Sequence, residues 1–174
     1  MALSTLTSFL VAIIAGGATL VATGQANEKD RDIRRDTVEQ SLREEARRKR
    51  ETVYARFAET SNRYNVATSL ILKKCPGLEG ATKSPTTEDC PTSEPFNQAR
   101  YEFQGTINDI YLFGTPEAQR AARRISDHLP AGIESKLRDD PIRASDPKGF
   151  SDRYAEFLTV ACRDVRIDPG QPCE

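Results

Sequence analysis

Apolar and polar positions divide this chain into one uncharged block, one long helical pattern and several shorter ones. From Ala2 to Asn27 there is no charged residue, and Phe9 to Ala22 is almost wholly apolar or small. A helix over Leu3 to Gly24 is about 33 Å long at 1.5 Å per residue, enough to cross a hydrocarbon core of roughly 30 Å. Residues 1–27 therefore read as a transmembrane anchor. From Glu28 to Lys74 there is neither Pro nor Gly, and Val38, Leu42, Ala46, Val53, Phe57, Tyr64, Ala67 and Ile71 recur at steps of three, four or seven. That spacing is one face of a single long helix.

Periodicity then stops. Residues 75–95 hold Pro76, Gly77, Gly80, Pro85, Pro91 and Pro95 and read as a long loop, functional or merely mobile, with mobility the simpler expectation. A second helix starts near Ser93 with Pro95 in its first turn, buries Phe96, Phe103, Ile107 and Ile110, and stops at Gly114 in a left-handed cap. Thr115-Pro116-Glu117 is a helix start: a capping hydroxyl, a proline at the first position and an acid at the positive end of the dipole. Ala118, Ala121, Ala122, Ile125 and Leu129 give the third helix a face of small residues suited to close packing, and Pro130 ends it. A short turn and a linker follow. The last helix runs from about Gly149 to Val165 with Phe150, Tyr154, Phe157, Leu158, Ala161 and Val165 inward.

The fold class is all-α: an N-terminal transmembrane helix, a long helical stalk and a small antiparallel bundle of about four helices. The domains are the anchor (1–27) and a helical domain (28–174). The latter comprises a stalk (28–50), a bundle (51–167) containing the 75–95 loop, and a tail (168–174). The shorter helices cover only part of the first, so Val38 and Leu42 form an apolar stripe with nothing in the chain to bury it. Pairing with another copy, as in a coiled coil, answers that, and Ala12-x-x-x-Gly16 and Ala18-x-x-x-Ala22 offer small-residue faces within the anchor.

Charge changes the picture in two places. The net charge is −1, so no whole-molecule positive field draws nucleic acid, and no nucleic-acid partner is expected. The first positive charges, Lys29, Arg31, Arg34 and Arg35, follow the apolar block and none precedes it. By the positive-inside rule the protein is a single-pass cell-membrane protein with its C-terminal domain in the cytoplasm. A cleaved export signal is the alternative, favoured by an Ala-Thr-Gly-Gln cut site and disfavoured by the missing basic flank. Arg47-Arg-Lys-Arg50 is a basic run, and Glu44 and Glu45, each four residues ahead of a cation, make it a salt-bridged solvated face.

Cys75, Cys90, Cys162 and Cys173 are the remaining candidates for chemistry. In the cytoplasm they stay reduced; if the domain is exported they form two disulfides, with Cys75–Cys90 and Cys162–Cys173 one of three pairings. Zinc is disfavoured because no Cys-x-x-Cys occurs and His128 is the only histidine. His128 suits an exposed place at the negative end of the third helix. Asn62-Arg-Tyr-Asn65 and Asn108-Asp109 meet in a buried polar contact if the first two helices are antiparallel. Arg56 or Arg63 with Asp109, and Arg163 with Asp164, read as register-fixing ion pairs. No nucleophile–base pair, metal cluster or phosphate-binding glycine pattern is present, so no catalytic, cofactor-binding or metal residue is assigned, and the chain is read as not an enzyme.

Three segments, Arg43–Phe57, Ile107–Ala122 and Tyr154–Asp164, together with the apolar start, resemble a group of uncharacterised single-span helical membrane proteins of actinobacteria. The resemblance implies an anchored helical domain facing the cytoplasm and carries no activity; the cysteine-flanked loop departs from it. The functional expectation is a membrane-anchored, non-enzymatic interaction or scaffold protein with a protein partner still to be identified. The alternative is an exported, disulfide-stabilised helical sensor or ligand-binding domain.

Overall fold

The computed structural model describes residues 4–130, 141–144, 146–168, 170 and 172–173, with side chains described from Ile33 onward and for Arg31. All regular structure among them is helical: α1 (Ser4–Lys74), α2 (Ser93–Phe113), α3 (Pro116–Ser126) and α4 (Pro147–Val165), with a short 3-10 turn at Pro76–Leu78. No helix among the described residues is long and apolar enough to cross a membrane. The anchor expected over residues 1–27 falls on side chains outside the described residues.

The chain divides into two compact units, Met1–Glu45 and Ala46–Glu174. Within the first, Ile33, Val38 and Leu42 are exposed, the last two at 59% each, so the stripe has no cover in this chain. Short-range pairs such as Arg43 with Glu39 at 2.7 Å support the helix there.

The second unit is built on the C-terminal half of α1, whose buried row is Val53, Tyr54, Phe57, Ala58, Tyr64 and Ile71. Partner order fixes the helix directions. On α2, Asp109, Thr106 and Glu102 meet Arg56, Thr60 and Arg63, so the two helices run antiparallel. On α4, Val165 and Phe157 meet Arg47 and Phe57, again antiparallel. Arg163 and Arg124 of the α3–α4 pair reach Glu117 and Glu156, which sets α3 antiparallel to α4. The centre is a chain of rings from Phe157 through Phe57, Phe103 and Tyr64 to Phe96, with centroids 4.7, 5.7, 5.5 and 5.6 Å apart. Each such ring contributes roughly 1.5–3 kcal/mol by burial, and each tilted pair about 0.5–1.5 kcal/mol more. As the alanine row predicts, α3 packs most closely on α4, with Ala118, Ala121 and Ala122 buried.

The helix ends follow local chemistry. Thr115 caps α3 by accepting from the Ala118 N–H, and Asp146 caps α4 by accepting from the Lys148 N–H, each with a proline at the first position. So α4 starts at Pro147, two residues ahead of the expected Gly149. Gly114 does end α2, but in an extended conformation (φ −79°, ψ 155°) rather than the left-handed one expected. Close approach is what selects glycine there: a Cβ would lie 2.6 Å from the Ile110 carbonyl oxygen. Leu158, expected inward, is 44% exposed, because Phe157, Val160 and Ala161 fill the face that meets α1 and α3.

Candidate binding cleft

The expected mobile loop is tied down at four places. Cys75 is joined to Cys90, and Gly80 and Ala81 exchange backbone hydrogen bonds of 2.8 Å each with buried Ile142. Thr86 donates through its N–H and its hydroxyl to the Asp89 carboxylate, at 2.8 and 2.9 Å, which holds that carboxyl below its usual range. On the helix side, Asn97 Nδ2 donates to the Pro85 carbonyl at 2.8 Å and Arg100 to the Ser84 hydroxyl at 2.9 Å.

Between this loop and the first turns of α2 lies a cleft of about 530 Å³. Its floor is two ridges of α2, Ser93–Asn97–Tyr101 and Glu94–Gln98–Glu102, facing Pro85, Thr86 and Thr87. Phe96, Ala99 and Phe103 turn the other way into the core, which fixes α2 against rotation and presents the polar ridges outward. Ser93 is 1% exposed, yet its hydroxyl has no hydrogen-bond partner, and neither has the Asn97 Oδ1. Glu102 is committed to Arg63 at 2.6 Å and to Gln98 at 3.0 Å. Glu94 has no partner among the described residues. The cleft therefore presents acceptors without donors.

At the opposite end of the bundle the polar groups satisfy one another. The Tyr54 hydroxyl donates to Asp164 at 2.8 Å and accepts from the Thr115 N–H at 3.0 Å; the Thr115 hydroxyl also donates to Asp164. Burial raises the Tyr54 pKa, and the Asp164 charge adds to that against the lowering bonds from Thr115. With every group partnered, this cluster clasps α1, α3 and α4 together.

The residues singled out in the sequence fall as follows. Cys75–Cys90 and Cys162–Cys173 are both joined, with Cα separations of 6.1 and 5.7 Å. His128 is half-buried rather than exposed, set so close to the first turn of α4 that a Cβ on Gly149 would lie 2.7 Å from its ring. Asn62 and Asn108 are exposed and do not form the interhelical contact; the hydroxyls of Thr60 and Thr106, 2.7 Å apart and buried, do. Arg56 pairs with Asp109 at 3.7 Å, whereas Arg163 pairs with Glu117, not with its neighbour Asp164. In the basic run, Lys49 lies over the Phe113 ring, 4.6 Å from its centroid, and Arg47 donates to the Val165 carbonyl, in place of pairs from Glu44 and Glu45. Among the described residues no three His, Cys, Asp or Glu side chains gather where they could hold a metal ion.

The cleft residues were not singled out in the sequence. A polar row at four-residue spacing, 93–97–101, flanking the apolar row 96–103–107, was the available signal. No protein-family model, curated protein or solved structure matches the chain.

Proposed function

We propose that the chain is a non-enzymatic helical recognition protein, tethered to a membrane through its N-terminal segment, whose disulfide-bonded bundle works on the oxidising side of that membrane. The observation that carries this reading is the pairing of all four cysteines into two bonds. Disulfides persist outside the cytoplasm and are rare within it. Opposed to this is the run of basic residues after the apolar segment. That rule weighs short flanks and loses force for a long translocated domain, so the cysteines outweigh it and the cytoplasmic placement read from charge is set aside. The absence of a nucleophile–base pair in the sequence supports recognition over catalysis. The test is thiol counting on protein taken directly from expressing cells, combined with protease accessibility in intact cells. Full protection from alkylation until reduction, with a protease-sensitive bundle, is the expected result; four reactive thiols and a shielded bundle would overturn it.

The exposed row Ile33, Val38 and Leu42 favours a second component of the same function, self-association through the stalk. In that reading, two copies cover each other's stripe. Sedimentation of the full chain in detergent is expected to show a dimer that V38E, with a charge in the stripe, dissociates.

A further inference from the structure

We propose that the cleft between the Cys75–Cys90 loop and α2 binds a primary ammonium group carried on an alkyl stem. The Ser93 Oγ, the Asn97 Oδ1 and the Glu94 carboxylate line it within one helical turn, and none has a partner among the described residues. Positions 93 and 97 share a face, and 94 neighbours 97 on the helix surface. A primary ammonium has three N–H donors and no acceptor, which matches three acceptors in one turn. Burial of the Ser93 hydroxyl without a bond is unfavourable by itself, so a ligand that satisfies it gains what the empty site lacks.

Charge selects a cation over an anion. Helix N-termini attract anions through free N–H groups, but here the Ser93 N–H is already bonded to the Cys90 carbonyl and Pro95 has none. No Lys or Arg lines the cleft, while Glu94 brings a carboxylate that no ion pair neutralises. Tyr101, 61% exposed one turn beyond Asn97, offers a ring face to an alkyl stem or to the cation itself. The stem is required because the rest of the lining, Pro85 and the Tyr101 ring, is apolar.

Lysine side chains and free alkyl diamines both carry this chemistry. The site deepens the recognition reading and depends on it, but not on the side of the membrane, so thiol counting and ligand binding fail independently.

The experiment titrates the purified full chain in detergent micelles with cadaverine, with Nα-acetyl-lysine amide and with the ε-trimethylated form of that amide, followed calorimetrically. Saturable binding of the primary amines is expected, with about a tenfold loss for the trimethylated form, which keeps the charge but has no N–H donor. E94Q is expected to weaken binding by about tenfold, and S93A, which removes a buried unsatisfied hydroxyl and leaves the fold intact, by several-fold. Tighter binding of the lysine derivative assigns the site to a polypeptide; tighter binding of the diamine assigns it to a free amine. No saturation with any primary amine, equal binding of the trimethylated form, or unchanged binding in both folded variants would overturn the proposal.

Discussion

Tyr54 and Asp164 lie 110 residues apart in the chain and share a 2.8 Å hydrogen bond that closes the first helix onto the last. The same phenol accepts from the Thr115 N–H, so Y54F strands one donor and removes one bond to the carboxylate. A loss of roughly 1–3 kcal/mol is expected in urea unfolding, the range for leaving a partly buried group unsatisfied. The raised pKa sets a sign as well. A group whose folded pKa exceeds its unfolded value, about 10 for tyrosine, lends stability that is whole below that pH and is lost as pH rises through the folded value. Wild-type stability is therefore expected to fall faster than that of Y54F as the pH is taken upward from 10, measured by unfolding at each pH.

The buried pair Thr60–Thr106 predicts non-additivity. Each hydroxyl also bonds a carbonyl of its own helix, Phe57 or Phe103. T60V or T106V alone is expected to cost about 1 kcal/mol, and the double variant less than the sum by roughly 0.5–1.5 kcal/mol. A double-mutant cycle by chemical denaturation reads the difference.

Two acid-sensitive contacts set the low-pH limit. For Glu156, burial raises the pKa, but the bonds and charges of Arg124 and Arg153 outweigh it and the net displacement is downward. Asp89 is lowered by its two bonds from Thr86. Carboxyls with depressed folded pKa values lend stability present above the unfolded value, near 4, and lost as pH falls through the folded one. Thermal melts from pH 6 to 2 are expected to show a steeper acid decline for the wild type than for E156Q or D89N.

Replacing both Cys75 and Cys90 by Ala opens a bridge spanning 15 residues, for which the loss expected from chain entropy is about 3 kcal/mol. The Cys162–Cys173 bridge spans 11 residues and ties only the chain's end to α4, so its removal is expected to matter less. Melting curves with and without reductant, compared across the two double variants, check the order.

At Gly114 an alanine Cβ would meet backbone, not a movable side chain. G114A is expected to lower stability by roughly 1–3 kcal/mol, as overpacking does, with the α2–α3 corner shifted; thermal unfolding tests it.

Most of the bundle was written in local signals. Thr115-Pro116 announced α3, and the rows at 53–57–64–71 and 96–103–107–110 named the core, because helix period and capping act over a few residues. Asp146-Pro147 carried the same start signal as Thr115-Pro116 and was read as linker only because it stands among other prolines. What escaped was set by tertiary contact. Threonine at 60 and 106 is ambiguous until two helices face each other, whereas the asparagines that looked like the polar contact sit one register step outside it. Leu158 is apolar by identity and exposed by rotation of α4. The cleft had no sequence spacing to betray it, since it arises from a loop laid against a helix whose polar ridges alone look like ordinary solvated surface.

Because Arg47, Tyr54 and Phe57 find their α4 partners at Phe157, Asp164 and Val165, the end of the bundle where α1 enters it cannot close until almost the whole chain has left the ribosome. At about 5–20 residues per second, the aromatic face of α1 waits on the order of ten seconds for its cover. A chain with that delay stays threadable during synthesis and becomes rigid only after its last helix has been delivered.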